Sequence, residues 1–120
     1  MNDEIYNFSG RQADRSELSL TFDGVLLVIT VENQNKSNKF ISVIFHKTFN
    51  YEFESIASMV RYPTECSELL IAESAEHYLS LRQERISSFF AANLKKYSVY
   101  FEDYGLFTVF AESVEIEEHP

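Results

Sequence analysis

The sequence predicts an α+β domain: an antiparallel β-sheet of about six strands, made of two hairpins and a meander, with one main helix packed on it. Three observations carry this. Leu18 to Val31 hold two apolar runs separated by Asp23-Gly24, a pair suited to the positive φ angles of a two-residue type I′ turn. A second alternating pair of runs flanks Glu102-Asp-Tyr-Gly105. Between the hairpins, Ala75, Tyr78, Leu79 and Ile86 follow the helical period.

The chain of 120 residues reads as a single domain, 1–120, and its 45% hydrophobic content is ample for one core. Residues 1–16 are polar, with Tyr6 and Phe8 as packing anchors. The first strand runs from about Glu17 to Phe22, with Leu18, Leu20 and Phe22 at period two. Val25 to Val31 carries no charge and is expected to be a central strand rather than an edge. After a polar loop at Asn33–Asn38, a third strand starts near Lys39, with Ile41, Val43, Phe45 and Phe49 on one face and Ser42, His46 and Thr48 on the other. Tyr51 and Phe53 alternate with Glu52 and Glu54, so extended chain is expected to about Glu54, followed by one or two helical turns before Pro63. Glu68 to Ala72 is a short apolar strand, and Ser74 suits the N-cap of the main helix. The second hairpin follows, and Val114 and Ile116 add a short edge piece before an acidic tail.

Nineteen acidic against 10 basic side chains give a formal net charge of −9. Such a surface repels phosphate backbones, so neither nucleic acid nor anionic membrane is an expected partner. It favours basic partners, or it simply keeps a small domain in solution. The single cysteine, Cys66, fits a reducing compartment, the N-terminus lacks the features of a signal peptide, and Val25–Val31 is too short to span a bilayer, so a cytoplasmic protein is expected.

No catalytic motif stands out. His46, His77 and His119 fall in three different sequence environments, without CxxC or HExxH spacing, so no metal is expected. Glu73 and His77 are four apart, a spacing that reads as an ordinary helix-surface contact far more readily than as a pair of ligands. Cys66 sits between Glu65 and Ser67, where a carboxylate disfavours the thiolate. Gly10, Gly24 and Gly105 lie far apart, so there is no phosphate-cradling or dinucleotide loop. The paired carboxylates Glu52/Glu54 and Glu102/Asp103 read as solvated rather than as an acid–base couple. No enzyme and no cofactor are expected. Tyr97, Tyr100, Phe101 and Tyr104 cluster at the second hairpin beside Glu102 and Asp103. They serve either as core and cross-strand pairs or, with Tyr100 and Tyr104 exposed, as part of a partner surface.

Two stretches, Leu69-Leu-Ile-Ala-Glu-Ser-Ala-Glu-His-Tyr-Leu-Ser80 and Leu94-Lys-Lys-Tyr-Ser-Val-Tyr-Phe-Glu-Asp-Tyr-Gly-Leu-Phe-Thr-Val-Phe-Ala111, resemble small bacterial immunity-type proteins across residues 68–116. The pattern departs where that family usually places a histidine before tyrosine; Lys96 stands there instead. The resemblance implies an antitoxin that binds a cognate toxin C-terminal domain of a polymorphic or contact-dependent growth-inhibition system. Such a partner is expected to be a basic nuclease-type protein. Glu52, Glu54, Tyr100, Glu102, Asp103 and Tyr104 are then the expected partner-binding residues, on a protein that is a monomer or homodimer when free.

Overall fold

In the computed structural model, the structure describes residues 3–8, 18–32, 40–55, 69–76, 94–101 and 104–119. These form seven strands: β1 (Asp3–Asn7), β2 (Leu18–Phe22), β3 (Leu27–Glu32), β4 (Phe40–Ser55), β5 (Leu69–Ser74), β6 (Lys95–Phe101) and β7 (Gly105–His119). All pair antiparallel in one sheet of order β1-β5-β6-β7-β4-β3-β2. The expected α+β class is therefore corrected: the described part of the chain is an all-β, seven-stranded sheet, not a six-stranded sheet carrying a main helix. Ser74 Oγ does accept a hydrogen bond from the Glu76 amide at 3.1 Å, but the segment assigned to the helix, 77–93, lies outside the described residues.

The extended chain expected to about Glu54 is found, with β4 running through Tyr51-Glu-Phe-Glu to Ser55. Val114 and Ile116, in contrast, are not a separate edge piece. They belong to a continuous β7 that pairs along β4 from Phe40↔His119 to Ser55↔Gly105, which joins the meander to the second hairpin. The extra strand, β1, is short and polar, and carries little sequence signal. It pairs with β5 and is followed by Phe8, which is fully buried against Tyr6 and Phe101.

The β2–β3 hairpin forms, with β3 in the interior between β2 and β4, but its turn differs from the expected two-residue loop. Phe22 pairs with Leu27, leaving four residues in the connection. Asp23 explains the choice. Its Oδ1 accepts hydrogen bonds from the amides of Val25 (2.9 Å) and Leu26 (2.7 Å), while its own N–H donates to the Leu26 carbonyl (3.2 Å). Gly24, at φ 102°, supplies the conformation that side chains disfavour.

The Leu26 and Val25 amides hold the Asp23 carboxyl below its usual range. A depressed carboxylate pKa stabilises the fold above the unfolded-state value and loses that contribution as pH falls through the folded-state value. Asp23→Ala is accordingly expected to lower the melting temperature at pH 7, and the gap from wild type should close below about pH 3. Thermal melts at both pH values check this; a gap that persists in acid would assign the effect to turn geometry alone.

One bend organises the molecule. Lys47 adopts φ 53°, and the β4–β7 register shifts by one residue between Thr48 and Asn50. Thr48 N–H donates to the Val25 carbonyl (2.8 Å) and its hydroxyl to the Phe45 carbonyl (3.1 Å), which fixes the kink. Face alternation changes there. Thr48, expected on the outer face, is buried opposite Ala111, whereas Phe49, expected beside Phe45, packs with Ala75, Leu94 and Phe110 in a separate cluster.

On one side of the bend lie β2, β3 and the adjoining halves of β4 and β7. On the other lie the remaining halves, with β6, β5 and β1. The two parts fold over a shared core that includes Leu27, Ile29, Val43, Phe45, Tyr97, Val99, Phe101, Phe107 and Val109. Phe45 and Tyr97 meet across it with ring centroids 5.5 Å apart, and the Tyr6 hydroxyl reaches Glu118 at 2.8 Å. Turning a sheet back on itself through a bulge buries one face without a second sheet.

Candidate protein-binding surface

Beyond the bend, β4 reads Tyr51-Glu-Phe-Glu54, and its register settles which way each side chain goes. Tyr51 and Phe53 pair with the core residues Val109 and Phe107, and so lie on the inner face. Glu52 and Glu54 pair with Thr108 and Leu106 and lie on the outer face. The inner row reaches the surface at its end. Phe53 stacks on Phe107 at 4.6 Å yet stays 47% exposed; Tyr51 touches Phe22, and Phe22 and Val25 are exposed at 38% and 59%. Inner-face aromatics and outer-face carboxylates thus flank one stretch of β4 at the end of the ladder, where a partner that wraps that end can bury apolar area and meet both acids.

Compensation by cations separates these two acids from their neighbours. Glu73 is bridged by Lys96 (3.1 Å), Glu112 by Lys47 (3.6 Å) and Glu115 by His46 (2.7 Å), and Glu117 lies 4.0 Å from His119. Glu52 and Glu54 are exposed and make no ion pair or side-chain hydrogen bond among the described residues.

The other expected partner-binding residues distribute differently. Leu106 pairs with both Glu54 and Tyr100, so Glu54 and Tyr100 share one outer-face row across β4, β7 and β6. Tyr100 is 7% exposed, however, which corrects its expected exposure. Tyr104 is half-buried in the β6–β7 turn, packs against the core, and donates its N–H to the Phe101 carbonyl at 2.9 Å. Glu102 and Asp103 lie outside the described residues, as do Cys66 and His77. Sequence reasoning missed Phe22, Val25 and Phe53 as surface residues. Their apolar character signalled burial, and only the end of the ladder exposes them.

The histidines also regroup. His46 and His119, far apart in sequence, both fall on the outer face of the β4–β7 ladder. His119 Nε2 lies 3.0 Å from Ser42 Oγ, which is itself 3.0 Å from Thr30 Oγ1. Serine, histidine and glutamate are thus neighbours here, but the 4.0 Å separation of His119 from Glu117 is too long for an orienting hydrogen bond. Ser42 also sits mid-strand, where its backbone belongs to the ladder rather than to an oxyanion-binding turn. The arrangement reads as a cross-strand polar ladder. Among the described residues no group of three or more His, Cys, Asp or Glu is placed to hold a metal, and no helix is long and apolar enough to cross a membrane. A shallow depression lined by Asp3, Ala72, Glu73, Ser74 and Lys95 opens at the β1–β5–β6 side and carries charges of both signs.

No protein-family model, curated protein or solved structure matches the chain.

Proposed function

We propose that this chain is a small acidic immunity protein that acts in the cytoplasm, binding a cognate basic toxin domain and neutralising it by covering its active or substrate-binding surface. The observation that carries the reading is the Glu52–Glu54 pair, uncompensated among the described residues, beside exposed Phe53, in a protein of net charge −9. The sequence resemblance across residues 68–116 points the same way. The work is binding rather than catalysis. Opposite charge raises the encounter rate and makes it salt-dependent, whereas an aromatic side chain buried at the interface slows dissociation.

The two contributions separate experimentally. A tagged protein is expected to retain a single basic toxin-like chain from lysate of its source, and co-expression is expected to suppress that chain's toxicity. Against the captured partner, Glu52→Gln/Glu54→Gln should slow association and flatten its dependence on salt. Phe53→Ala should instead speed dissociation by about tenfold or more, the effect of losing an interface anchor worth about 1–2 kcal/mol. Failure to neutralise the captured chain would remove the immunity reading. Unchanged kinetics in both variants would move the interface elsewhere.

A further inference from the structure

Among the described residues the sheet has two outer strands, and they are built differently. β1 carries Asp3 and Glu4 and is broken by a register shift between Glu4 and Tyr6, the charge and irregularity that keep an edge from recruiting another strand. β2, Leu-Ser-Leu-Thr-Phe, has no charge, no proline and no bulge, and holds an unbroken register against β3. Among the described residues no strand pairs with its other side, and that side is also self-complementary. The Asp23 N–H bonded to the Leu26 carbonyl marks a hydrogen-bonded pair. Antiparallel alternation then turns the backbone of Ser19 and Thr21 toward β3, and that of Leu18, Leu20 and Phe22 away from it.

We propose that β2 is a homodimerisation edge: two copies of the chain pair their β2 strands antiparallel about a twofold axis at Leu20. Leu20 then faces its own copy, Leu18 faces Phe22, and each outward N–H meets an outward carbonyl. Half-buried Leu18 and Leu20 and exposed Phe22 extend the apolar row on the inner face, while Ser19 meets Thr21 on the outer face. Charge selects a second copy as the occupant. In a chain of net charge −9, self-association requires a contact free of like charge, and β2 provides one where β1 does not. Asp23, at the end of the strand, has its carboxylate turned back onto the amides of Val25 and Leu26. The inference does not rest on the toxin-binding reading, although the two surfaces share Phe22.

Sedimentation equilibrium of the full chain is expected to show a mass rising with concentration from 14.0 kDa toward twice that value. The association should strengthen with salt, because screening relieves repulsion between two acidic copies, the opposite of what a basic partner would show. Ser19→Lys/Thr21→Lys places lysines opposite each other across the axis and should give a monomer. Both side chains are exposed, so its melting temperature should match that of the wild-type monomer, measured at concentrations below dimerisation. Mixing that variant with Ser19→Glu/Thr21→Glu should restore a dimer, which neither forms alone. Hydrogen exchange should find the Leu18, Leu20 and Phe22 amides protected only in the dimer. A chain that stays monomeric up to millimolar concentration, or a dimer that survives the lysine pair, would overturn the proposal. So would a dimer restored by no charge-swapped mixture.

Discussion

Phe45→Ala is expected to destabilise the protein by about 3–5 kcal/mol, the cost of emptying a fully buried aromatic site. Phe45 is 0% exposed, pairs with Leu27 on β3 and Val114 on β7, and meets Tyr97 across the core at 5.5 Å. It stands immediately before the bend, so its ring fills space between the two parts of the folded sheet rather than within one of them. A loss of that size is a large share of the roughly 5–15 kcal/mol that holds an ordinary domain folded. Urea denaturation checks it, with the midpoint falling sharply. Phe53→Ala is the control. The same chemical change at a 47% exposed site should cost about 1 kcal/mol or less, and show its main effect in partner binding. Equal costs at the two positions would mean that the two parts of the sheet do not share the core described here.

The second large effect is expected at Lys47 and changes sign with the substitution. A φ of 53° costs an L-residue about 1–2 kcal/mol, and a β-branched side chain suffers most. Lys47→Val should therefore lower stability by about 1–2 kcal/mol, whereas Lys47→Gly should raise it by roughly 0.5–1 kcal/mol, the relief of strain exceeding the entropy that glycine loses. The 3.6 Å contact between Lys47 and Glu112 is exposed and contributes little. Lys47→Ala should accordingly be close to neutral. Denaturation midpoints of the three variants separate backbone strain from charge, since a loss of the ion pair alone would lower all three equally.

The candidate surface was legible only in part. Glu52 and Glu54 could be chosen from sequence because strict alternation with Tyr51 and Phe53 puts both acids on one face, and the ladder places them there. Their lack of cationic partners among the described residues was not visible. It depends on where Lys47, Lys96 and His46 lie in space, and each of those is engaged by another carboxylate. The exposure of Tyr100 was misjudged for a related reason. A tyrosine that shares a strand face with Ser98 and Glu102 near a turn has the pattern of a surface residue, yet this one is almost fully buried.

By itself the sequence determined the strands whose patterning is strong and local: β2, β3, β4 to about Glu54, β5, β6 and the start of β7, with the places of the turns that join two of these pairs. Period-two patterning acts over a few residues and needs no distant partner to be read. The tertiary structure alone decided the rest. It decided that β4 and β7 pair along almost their whole length, that a non-glycine residue bends β4 and exchanges the roles of Thr48 and Phe49, and that Asp23 lengthens the first turn from two residues to four. Each of these depends on hydrogen bonds that compete with local preference. Asp23 accepts hydrogen bonds from the amides of Val25 and Leu26, and Thr48 anchors the kink through Val25 and Phe45. The exchange stays local: Thr48 and Phe49 swap faces at the bend, while Phe45 before it and Tyr51 and Phe53 beyond it keep to the inner face, so the bend reassigns two residues and leaves Glu52 and Glu54 outward.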